Sequence, residues 1–259
     1  MNLLLFSPDE VASSGRVTVT DRRLAHLKKV LDVELGQRLR AGIERTSTGF
    51  AEVRSIAADH IELRYEASAP VATPMLDLVL ALPRPKALSR MVQAAASFGV
   101  RRIDVINAWR VDAAYFQSHK VTDEALRTEV LLGCEQGLQA YVPHVAVHRY
   151  FSAFIEELER AGHAPGAARQ LLVGHPNEPD WPSQGIETAF ESDAMEPLTL
   201  VIGPDGGFID RELRSLQGLG GELVHFGDAV LRSEIALISG LSQLSLLRRL
   251  RGTTGSPRA

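Results

Sequence analysis

From Leu76 onward the chain alternates short apolar runs with longer amphipathic stretches, and this alternation constrains the fold more than any other feature. The runs have the length of strands, whereas stretches such as 87–98 place apolar residues at the spacing of one helix face. Strands separated by helices predict βαβ units and a mostly parallel sheet. We therefore predict an α/β domain with strands at 76–82, 103–106, 144–147, 170–173, 198–202 and 222–226, helices at 87–98, 123–137, 152–161, 211–217 and 233–250, a polar surface loop at 176–192 and a frayed tail at 252–259.

The first seventy residues have a different pattern, with one short helix and several strand-like stretches. Short strands joined by tight turns are typical of a small β-barrel. Residues 68–74 are small and uncharged and include two prolines, so they are the predicted linker between a domain at 1–72 and a domain at 73–259. Within the first domain we predict a helix at 21–31, strands at 37–43, 50–56 and 60–66, and turns at 47–49 and 57–59.

Composition restricts the class of protein. Of the 259 residues, 45% are hydrophobic and 23% are charged, a balance that excludes a disordered chain. No apolar run reaches the length of about 18 residues that a membrane span needs, and the N-terminal segment has no basic region, so we expect a cytoplasmic protein with no membrane partner. Cys134 is the only cysteine, which excludes an internal disulfide, and the eight histidines show no metal-ligand spacing, so we predict no bound metal.

The formal net charge of −4 argues at first against a nucleic-acid partner, because proteins that bind nucleic acids usually carry a basic surface. The charge is, however, unevenly distributed. Residues 16–40 hold seven basic and three acidic side chains, and residues 84–110 hold six and one. Residues 151–200 hold two basic and nine acidic side chains. From charge alone, solvated faces on separate helices are the simpler interpretation.

A loop that follows a predicted strand is the first candidate for a ligand site. The strand 198–202 runs into the segment GPDGG at 203–207, and a loop so poor in side chains, at the carboxyl end of a strand, lets a ligand approach the backbone. Taken alone, the segment is explained equally well by a tight turn. The chain has no P-loop sequence and no G-x-G-x-x-G after its first α/β strand, so the familiar nucleotide signatures are excluded.

A second loop, at 227–232, follows the strand 222–226 and ends where the last helix begins. Val230 and Leu231 could line a flat apolar pocket in this loop. Arg232 stands just before the N-terminus of the helix, where the helix dipole opposes a cation, so it needs an anionic or polar partner. Glu234 in the first helical turn is the nearest candidate.

Five segments, in the same order along the chain, resemble the motifs of one family. They are HLKKVLDVELGQRL at 26–39, ALPRPKALSRMVQAAASFGVRRIDVI at 81–106, CEQGLQAYVPHV at 134–145, LVIGPDGGF at 200–208 and FGDAVLRSEIALISGL at 226–241. They resemble the motifs of the 16S rRNA (uracil-N3)-methyltransferases, which belong to the knotted SPOUT class. The last two segments are the most specific, although Asp205, Ser233 and Ile235 differ from the usual residues of the family.

The resemblance implies a fold and a cofactor. The implied fold is α/β, with an N-terminal PUA-like small β-barrel for RNA and a C-terminal SPOUT domain that contains a deep trefoil knot and forms a homodimer. S-adenosyl-L-methionine would bind in the knot, mainly to backbone groups of three loops. The residues that match its binding site are Val173, Gly174, Ile202, Gly203, Pro204, Gly206, Gly207, Phe226, Gly227, Val230, Leu231 and Arg232.

The resemblance also implies a reaction, methyl transfer to N3 of a uridine in 16S rRNA, either free or within the small ribosomal subunit. Arg232 is then the predicted catalytic cation, and Glu234 the residue that orients it. Two alternatives remain open: a knotted methyltransferase that modifies another base or a ribose 2′-oxygen, and a knot protein that binds RNA without catalysis. The predicted RNA contacts are Arg22, Arg23, His26, Lys28, Lys29, Arg84, Lys86, Arg110 and Gln136.

Overall fold

The computed structural model describes residues 2–190 and 197–252, which fall into two compact units. The first unit contains the chain up to Pro74 with residues 96–99 and 130–142, and the second contains residues 75–95, 100–129 and the chain from Pro143 onward. No helix within the described ranges is long and apolar enough to cross a membrane. The strands are β1 (Leu4–Phe6), β2 (Arg16–Val19), β3 (Arg38–Ile43), β4 (Ser47–Ile56), β5 (Ile61–Pro70), β6 (Leu76–Ala81), β7 (Arg102–Ile106), β8 (His144–His148), β9 (Leu171–Gly174), β10 (Gln184–Gly185), β11 (Leu198–Ile202) and β12 (Gly221–His225), and the helices are α1 (Arg22–Lys29), α2 (Pro85–Ser97), α3 (Asp123–Gly137), α4 (Phe151–Arg160), α5 (Ile186–Ala189), α6 (Asp210–Gly218) and α7 (Ser233–Gly252).

The first unit is built on a five-stranded sheet with the order β1-β3-β4-β5-β2. β1 pairs with β3 in parallel, and the other neighbours are antiparallel. The three predicted strands are confirmed as β3, β4 and β5, and the short strands β1 and β2 were not predicted because they hold too few residues to show a period. The core comprises Leu4, Phe6, Val17, Val19, Leu27, Val33, Ala41, Ala51, Val53, Ile61, Leu63 and Tyr65.

Two local expectations for the first unit are wrong. The turn predicted at 47–49 lies inside β4, and the chain turns instead around Arg45, whose φ of 54° is left-handed. Ser47 is drawn into the sheet because its hydroxyl group shares a hydrogen bond of 2.9 Å with the hydroxyl group of Tyr65. The predicted linker at 68–74 is also too long, since β5 continues through Pro70.

The second unit is an α/β fold on a seven-stranded sheet with the order β10-β12-β9-β11-β6-β7-β8. Every pair of neighbouring strands is parallel, which confirms the α/β architecture predicted from the alternating pattern. β6 and β11 lie inside the sheet and are buried at every position, as expected for strands covered on both faces. Asp77 is the charged residue in β6, and the Nε atom of Arg101 donates to its Oδ1 atom at 2.8 Å.

The segment predicted as a surface loop at 176–192 contains regular structure, so that prediction is wrong for residues 184–189. β10 joins the sheet beside β12, and α5 follows it with Ile186 and Ala189 buried. The polar majority of this segment hid two apolar residues at helical spacing. Residues 191–192 of the predicted loop and residues 253–259 of the predicted tail lie outside the described residues.

The carboxyl ends of all seven strands lie along one edge of the sheet, because the strands are parallel. Ligands of parallel α/β sheets bind at such an edge. We call the loops after β9, β11 and β12 the glycine half of the edge (residues 174–178, 203–208 and 226–232). We call the loops after β6, β7 and β8 the basic half (residues 82–86, 107–110 and 149–150).

Candidate functional site

A cavity of about 280 Å³ opens in the glycine half of the edge. Of the twelve predicted cofactor residues, ten line this cavity. Val173 does not, because it is fully buried inside β9, and neither does Arg232, which directly follows the last lining residues of its loop. The ten lining residues are Gly174, Ile202, Gly203, Pro204, Gly206, Gly207, Phe226, Gly227, Val230 and Leu231.

Glycine residues give the cavity its shape. Gly207 has a φ of 73°, a left-handed conformation that residues with a Cβ atom rarely adopt. At Gly174, an added Cβ atom would lie 3.0 Å from the ring of Phe226, which forms part of the cavity wall. A side chain at either position would distort the loop or move the wall, so the backbone itself supplies much of the binding surface.

Asp205 joins two of the loops that form the cavity. Its Oδ1 atom accepts hydrogen bonds from the Oγ atom of Ser233 at 2.7 Å and from the Ser233 N–H at 3.3 Å. The carboxylate of Asp205, 28 positions earlier in the chain, thus caps the N-terminus of α7. The helix dipole favours a negative charge at this end of the helix. No sequence pattern indicates this pairing, because the two residues come from different strand–loop units.

The predicted orientation of Arg232 by Glu234 is wrong. Glu234 binds Arg90 of α2 instead, with the Nη2 and Nε atoms of Arg90 donating to its Oε1 atom at 2.6 and 3.1 Å. Arg232 lies in the loop before α7 and Glu234 lies in its first turn, and the carboxylate of Glu234 is taken up by Arg90. Arg232 is exposed beside the cavity and has no ion-pair partner among residues 2–190 and 197–252.

Several lining residues were not predicted. Glu178 and Asp210 bring carboxylate groups to the cavity, and Trp181 donates its Nε1–H to the Oδ1 atom of Asp210 at 3.1 Å. His175 directly follows β9 and His225 ends β12, so their positions at the ends of strands could have identified them. Glu178 and Trp181 lie in the segment predicted as a polar loop, and Asp210 begins α6, so only the fold shows that these residues face a ligand site.

The predicted RNA contacts of the second unit lie in the basic half. Arg84 and Lys86 are exposed just after β6. Arg110 is exposed after β7, and its guanidinium group donates to the carbonyl oxygen of Gly206, so it reaches from the basic half to a loop of the cavity. These residues place positive charge along the edge of the sheet, beside the glycine half.

The predicted RNA contacts of the first unit differ in how accessible they are. Arg23 is 6% exposed, and its guanidinium group donates to the Leu5 carbonyl at 2.6 Å and binds Glu10 and Asp21. Because the guanidinium group of Arg23 is buried and bonded within the fold, the prediction that Arg23 contacts RNA is wrong, and the residue stabilises the fold. Burial opposes the charge of Arg23, but the two carboxylates outweigh it and raise its pKa.

The other predicted RNA contacts of this unit are at least partly accessible. Arg22 donates to both carboxylate oxygens of Glu135 at 2.7 and 2.9 Å. The ammonium group of Lys28 binds the carbonyls of the 57–58 turn, and burial lowers the pKa of the half-buried His26. Lys29 and Gln136 are exposed.

A charged cluster lies beneath the basic half. Asp104, His148 and Glu157 bring ligand-type atoms within 4.8 Å of one another, a grouping that histidine spacing in the sequence did not reveal. Arg102 donates to Asp104 and to Glu157 at 2.7 Å, so its guanidinium group supplies positive charge to the cluster. Burial alone would raise the pKa of Asp104, but hydrogen bonds from His148 and Arg102 hold it below its ordinary value. The cluster joins β7, β8 and α4.

The geometry defines a class of protein: an α/β protein with a small-molecule cavity formed by glycine-containing loops at the carboxyl edge of a parallel sheet. Residues 71–245 match the model of the family described as RNA methyltransferase domain. The match covers well over half of the chain, and the chain therefore belongs to this family of RNA methyltransferases. The family relationship expected from the sequence motifs is confirmed.

Individual proteins agree with the family assignment. The chain is 26% identical over 245 residues to the Ribosomal RNA small subunit methyltransferase E of Treponema pallidum (strain Nichols), covering 91% of this chain and 87% of that protein. It is 22% identical over 248 residues to the protein of the same name from Rickettsia conorii, covering 94% and 95%. The crystal structure of a Ribosomal RNA small subunit methyltransferase E from Neisseria gonorrhoeae bound to S-adenosyl methionine has the same fold, with a TM-score of 0.75, 18% identity, and 95% and 98% of the two chains covered.

Proposed function

We propose that this protein transfers a methyl group from S-adenosyl-L-methionine to N3 of a uridine in the 16S rRNA of the small ribosomal subunit, in the cytoplasm. The observation that carries the proposal is the cavity of the glycine half, which gathers ten of the twelve residues expected to bind the cofactor. Membership of the RNA methyltransferase family and the names of the related proteins support the choice of substrate.

The residues of the cavity fit this cofactor chemically. Ile202, Phe226 and Leu231 form an apolar wall suited to an adenine ring, and Glu178 and Asp210 offer carboxylates to the positive sulfonium and amino groups. The Nδ1 atom of His225, which also lines the cavity, is buried without a hydrogen-bond partner in the described part of the chain. When bound, the cofactor supplies an electrophilic methyl group.

Arg232 would stabilise the transition state. N3 of uridine must release its proton to solvent water before or during the attack, and the resulting negative charge spreads onto the O2 and O4 atoms of the base. A guanidinium group held near those oxygens stabilises that charge. Arg232 has its positive charge free of a carboxylate partner in the residues that the structure describes and stands directly after the lining residues Val230 and Leu231. Asp205 holds Ser233, the residue after Arg232, and a loop held in place would favour the approach of the two reactants.

We propose that RNA binds the basic half of the edge and the first unit. Arg84, Lys86 and Arg110 would contact phosphate groups beside the cavity, because basic side chains supply most of the affinity for an RNA backbone. In residues 1–72 we propose a PUA-like barrel around the five-stranded sheet. The accessible residues Arg22, His26, Lys28, Lys29 and Gln136 complete the proposed contact set.

We further propose that residues 73–259 form a knotted domain that dimerises. In the proposed knot, β12 and α7 pass through the loop after β11, and the position of β12 beside β9, with Ser233 bonded to Asp205 of that loop, supports this path. α7 exposes Ile235, Ile238 and Leu246 on its surface, and such an apolar face favours a second copy of the chain as its partner.

The reaction is tested by mass spectrometry of small-subunit rRNA from a deletion strain, paired with methyl transfer from labelled cofactor to isolated subunits and to free 16S rRNA. We expect the deletion strain to lack one N3-methyluridine, which the purified protein restores. An N3-methyluridine retained in the deletion strain contradicts the proposed target, and label on another base or on a ribose 2′-oxygen identifies a different one. Absence of cofactor binding by calorimetry would favour a protein that binds RNA without catalysis.

A further inference from the structure

Trp109 projects a large aromatic side chain into solvent from the basic half. It is 79% exposed, the most exposed of the aromatic residues among the large apolar side chains on the described surface, and Tyr150 on the neighbouring loop is 73% exposed. A single exposed apolar side chain is common in folded proteins and by itself carries no meaning. The surroundings of Trp109 indicate a function for its exposed ring.

The backbone that carries Trp109 is firmly anchored. Its N–H donates to the Oε1 atom of Glu212 at 2.7 Å, and Glu212 is itself buried, with its Oε2 atom accepting from the Ile209 N–H at 3.0 Å. The preceding residue, Ala108, is buried, and Asn107 donates from its N–H to the His148 carbonyl at 2.9 Å. The loop is thus fixed while the indole ring stays accessible, as in a preformed binding surface.

The same loop is also tied to the cavity. Arg110, directly after Trp109, donates from its guanidinium group to the carbonyl oxygen of Gly206, and both Arg110 and Gly206 line the cavity. The indole ring therefore extends from a segment whose next residue is part of the cofactor site. A group bound to Trp109 would lie beside that site, at the mouth of the basic half.

The charge of the surroundings selects the kind of ligand. The exposed cations Arg84, Lys86, Arg110 and Arg149 lie on the same edge of the sheet. A purely apolar partner would leave these charges without counter-ions, whereas an unpaired RNA segment offers both an aromatic base and phosphate groups. Base stacking on aromatic side chains is how proteins hold unpaired RNA segments.

We propose that Trp109 stacks a nucleobase of the RNA substrate next to the cofactor cavity and so positions the strand that carries the target nucleotide. This inference rests on the proposed function, because it takes an RNA as the substrate. It assigns a substrate-binding role to a residue for which the family motifs imply none. The stacking requires an aromatic face, which separates it from simple apolar contact.

The test compares Trp109→Phe, Trp109→Leu and Trp109→Ala with the unchanged full-length protein. One readout is the affinity for a fluorophore-labelled single-stranded oligouridylate, and the other is KM and kcat for unmodified small ribosomal subunits. We expect Trp109→Phe to stay within about threefold, and both Trp109→Leu and Trp109→Ala to lose between about fivefold and a hundredfold in RNA affinity, with KM rising accordingly. Because the indole ring is exposed, the melting temperature and the cofactor Kd should not change.

A spectroscopic signature adds an independent readout. Trp109 and Trp181 are the only two tryptophans, so the difference in fluorescence quenching by RNA between the unchanged protein and Trp109→Phe reports on Trp109 alone. Equal RNA affinity and equal KM in the unchanged protein and Trp109→Ala overturn the inference, as does a Trp109→Leu variant that binds as well as Trp109→Phe. A change of oligomeric state in Trp109→Ala, measured by sedimentation, would assign the indole to a subunit contact instead.

Failure of the proposed function is distinguishable from failure of this inference. If the unchanged protein methylates no small-subunit rRNA but its RNA affinity depends on an aromatic residue at 109, the proposed reaction fails and the stacking role stands. If the protein methylates rRNA and Trp109→Ala behaves as the unchanged protein does, the reaction stands and the stacking role fails.

Discussion

The two halves of one sheet edge differ in what they present to a ligand. The glycine half offers backbone, a left-handed Gly207 and a wall formed by Phe226, and a Cβ atom added at Gly174 would lie only 3.0 Å from that wall. The basic half offers side chains, among them Arg84, Lys86 and the exposed ring of Trp109. Because all the strands are parallel, both surfaces lie on the same edge. Loop composition alone separates a shape-selective cavity from a charged surface.

The difference predicts how substitutions and salt affect ligand binding by each half. A cavity formed largely by backbone depends on shape, so one misplaced atom matters more than the salt concentration. A surface of separate cations depends on charge, so single losses are small and affinity falls as salt rises. The comparison therefore predicts that changes in the glycine lining of the cavity affect the cofactor, whereas changes to the cations of the basic half affect the RNA.

The largest effect is expected from Arg232, the last residue of the glycine half. We predict that Arg232→Ala lowers kcat about a hundredfold to a thousandfold, because the variant loses the cation that stabilises charge on the base. Cofactor affinity should stay within about twofold, since Arg232 does not line the cavity. Single-turnover methyl transfer and calorimetry measure the two quantities.

Arg211→Ala serves as the matched control for this variant, because Arg211 is likewise exposed near a helix N-terminus on the second unit. It should transfer methyl groups at the rate of the unchanged protein. Full activity of Arg232→Ala would remove Arg232 from the reaction.

A smaller effect, on the stability of the whole fold, is expected from the charged cluster around Asp104. Asp104→Asn removes the buried charge that Arg102 and His148 share, so we predict a loss of about 3 kcal/mol in the free energy of unfolding by urea. The pKa of Asp104 is lowered in the folded protein, so its contribution is present above the ordinary pKa of aspartate and lost as the pH falls through the folded value. In Asp104→Asn this acid-dependent loss should be reduced.

The exposed aspartate Asp59, which pairs with His60 on the surface, provides the control. Asp59→Asn should change the unfolding free energy by less than about 1 kcal/mol, because exposed ion pairs contribute little. Equal stabilities of the two variants would mean that the buried cluster does not hold the basic half in place.

A local effect on the glycine half is expected from Gly207→Ala. The left-handed φ of 73° strains any residue with a Cβ atom, so we predict cofactor affinity about tenfold weaker, with RNA affinity unchanged. Gly218→Ala is the control, because no atom lies within 4 Å of its added Cβ atom and the position ends a helix. Calorimetry with the cofactor should separate the two variants, and equal affinities would show that the loop does not need glycine.

The smallest effect is expected from single cations of the basic half. Lys86→Gln should weaken RNA binding a few-fold at low salt and reduce the salt slope by about 0.7, the value for one phosphate contact on a single strand. Arg160→Gln at the end of α4 changes one exposed cation away from this half and should leave the slope as it is. If Lys86→Gln does not change the salt slope of RNA binding, the RNA does not bind at Lys86. If it changes the cofactor affinity, the two halves do not bind their ligands independently.

The sequence predicts what local patterns determine. Helix α3 and strand β11 have the predicted bounds, because Thr122 accepts from the Ala125 N–H at 3.3 Å at the helix start and because five apolar-rich positions of the strand are all buried. The motif resemblance identified ten lining residues of the cavity. These features are carried by neighbours in the chain.

Long-range pairings could not be predicted in the same way. Glu234 pairs with Arg90, 144 positions away, although a nearer arginine stood two positions before it. The cluster of Asp104 and His148 forms only when β7 and β8 lie side by side. The exposed Trp109 has no periodic pattern around it, and its anchoring by Glu212 appears only in the fold. Such contacts depend on which strands become neighbours, and a one-dimensional pattern does not contain that information.

Hydrogen exchange measured separately with cofactor and with 16S rRNA tests the division of the edge most directly. We predict that the cofactor slows amide exchange in residues 203–208 and 226–232 of the glycine half and leaves residues 107–109 of the basic half unchanged. We predict that the RNA slows exchange in residues 107–110 of the basic half. Equal protection of residues 107–109 by the cofactor and by the RNA, or protection of these residues by the cofactor alone, would contradict the account.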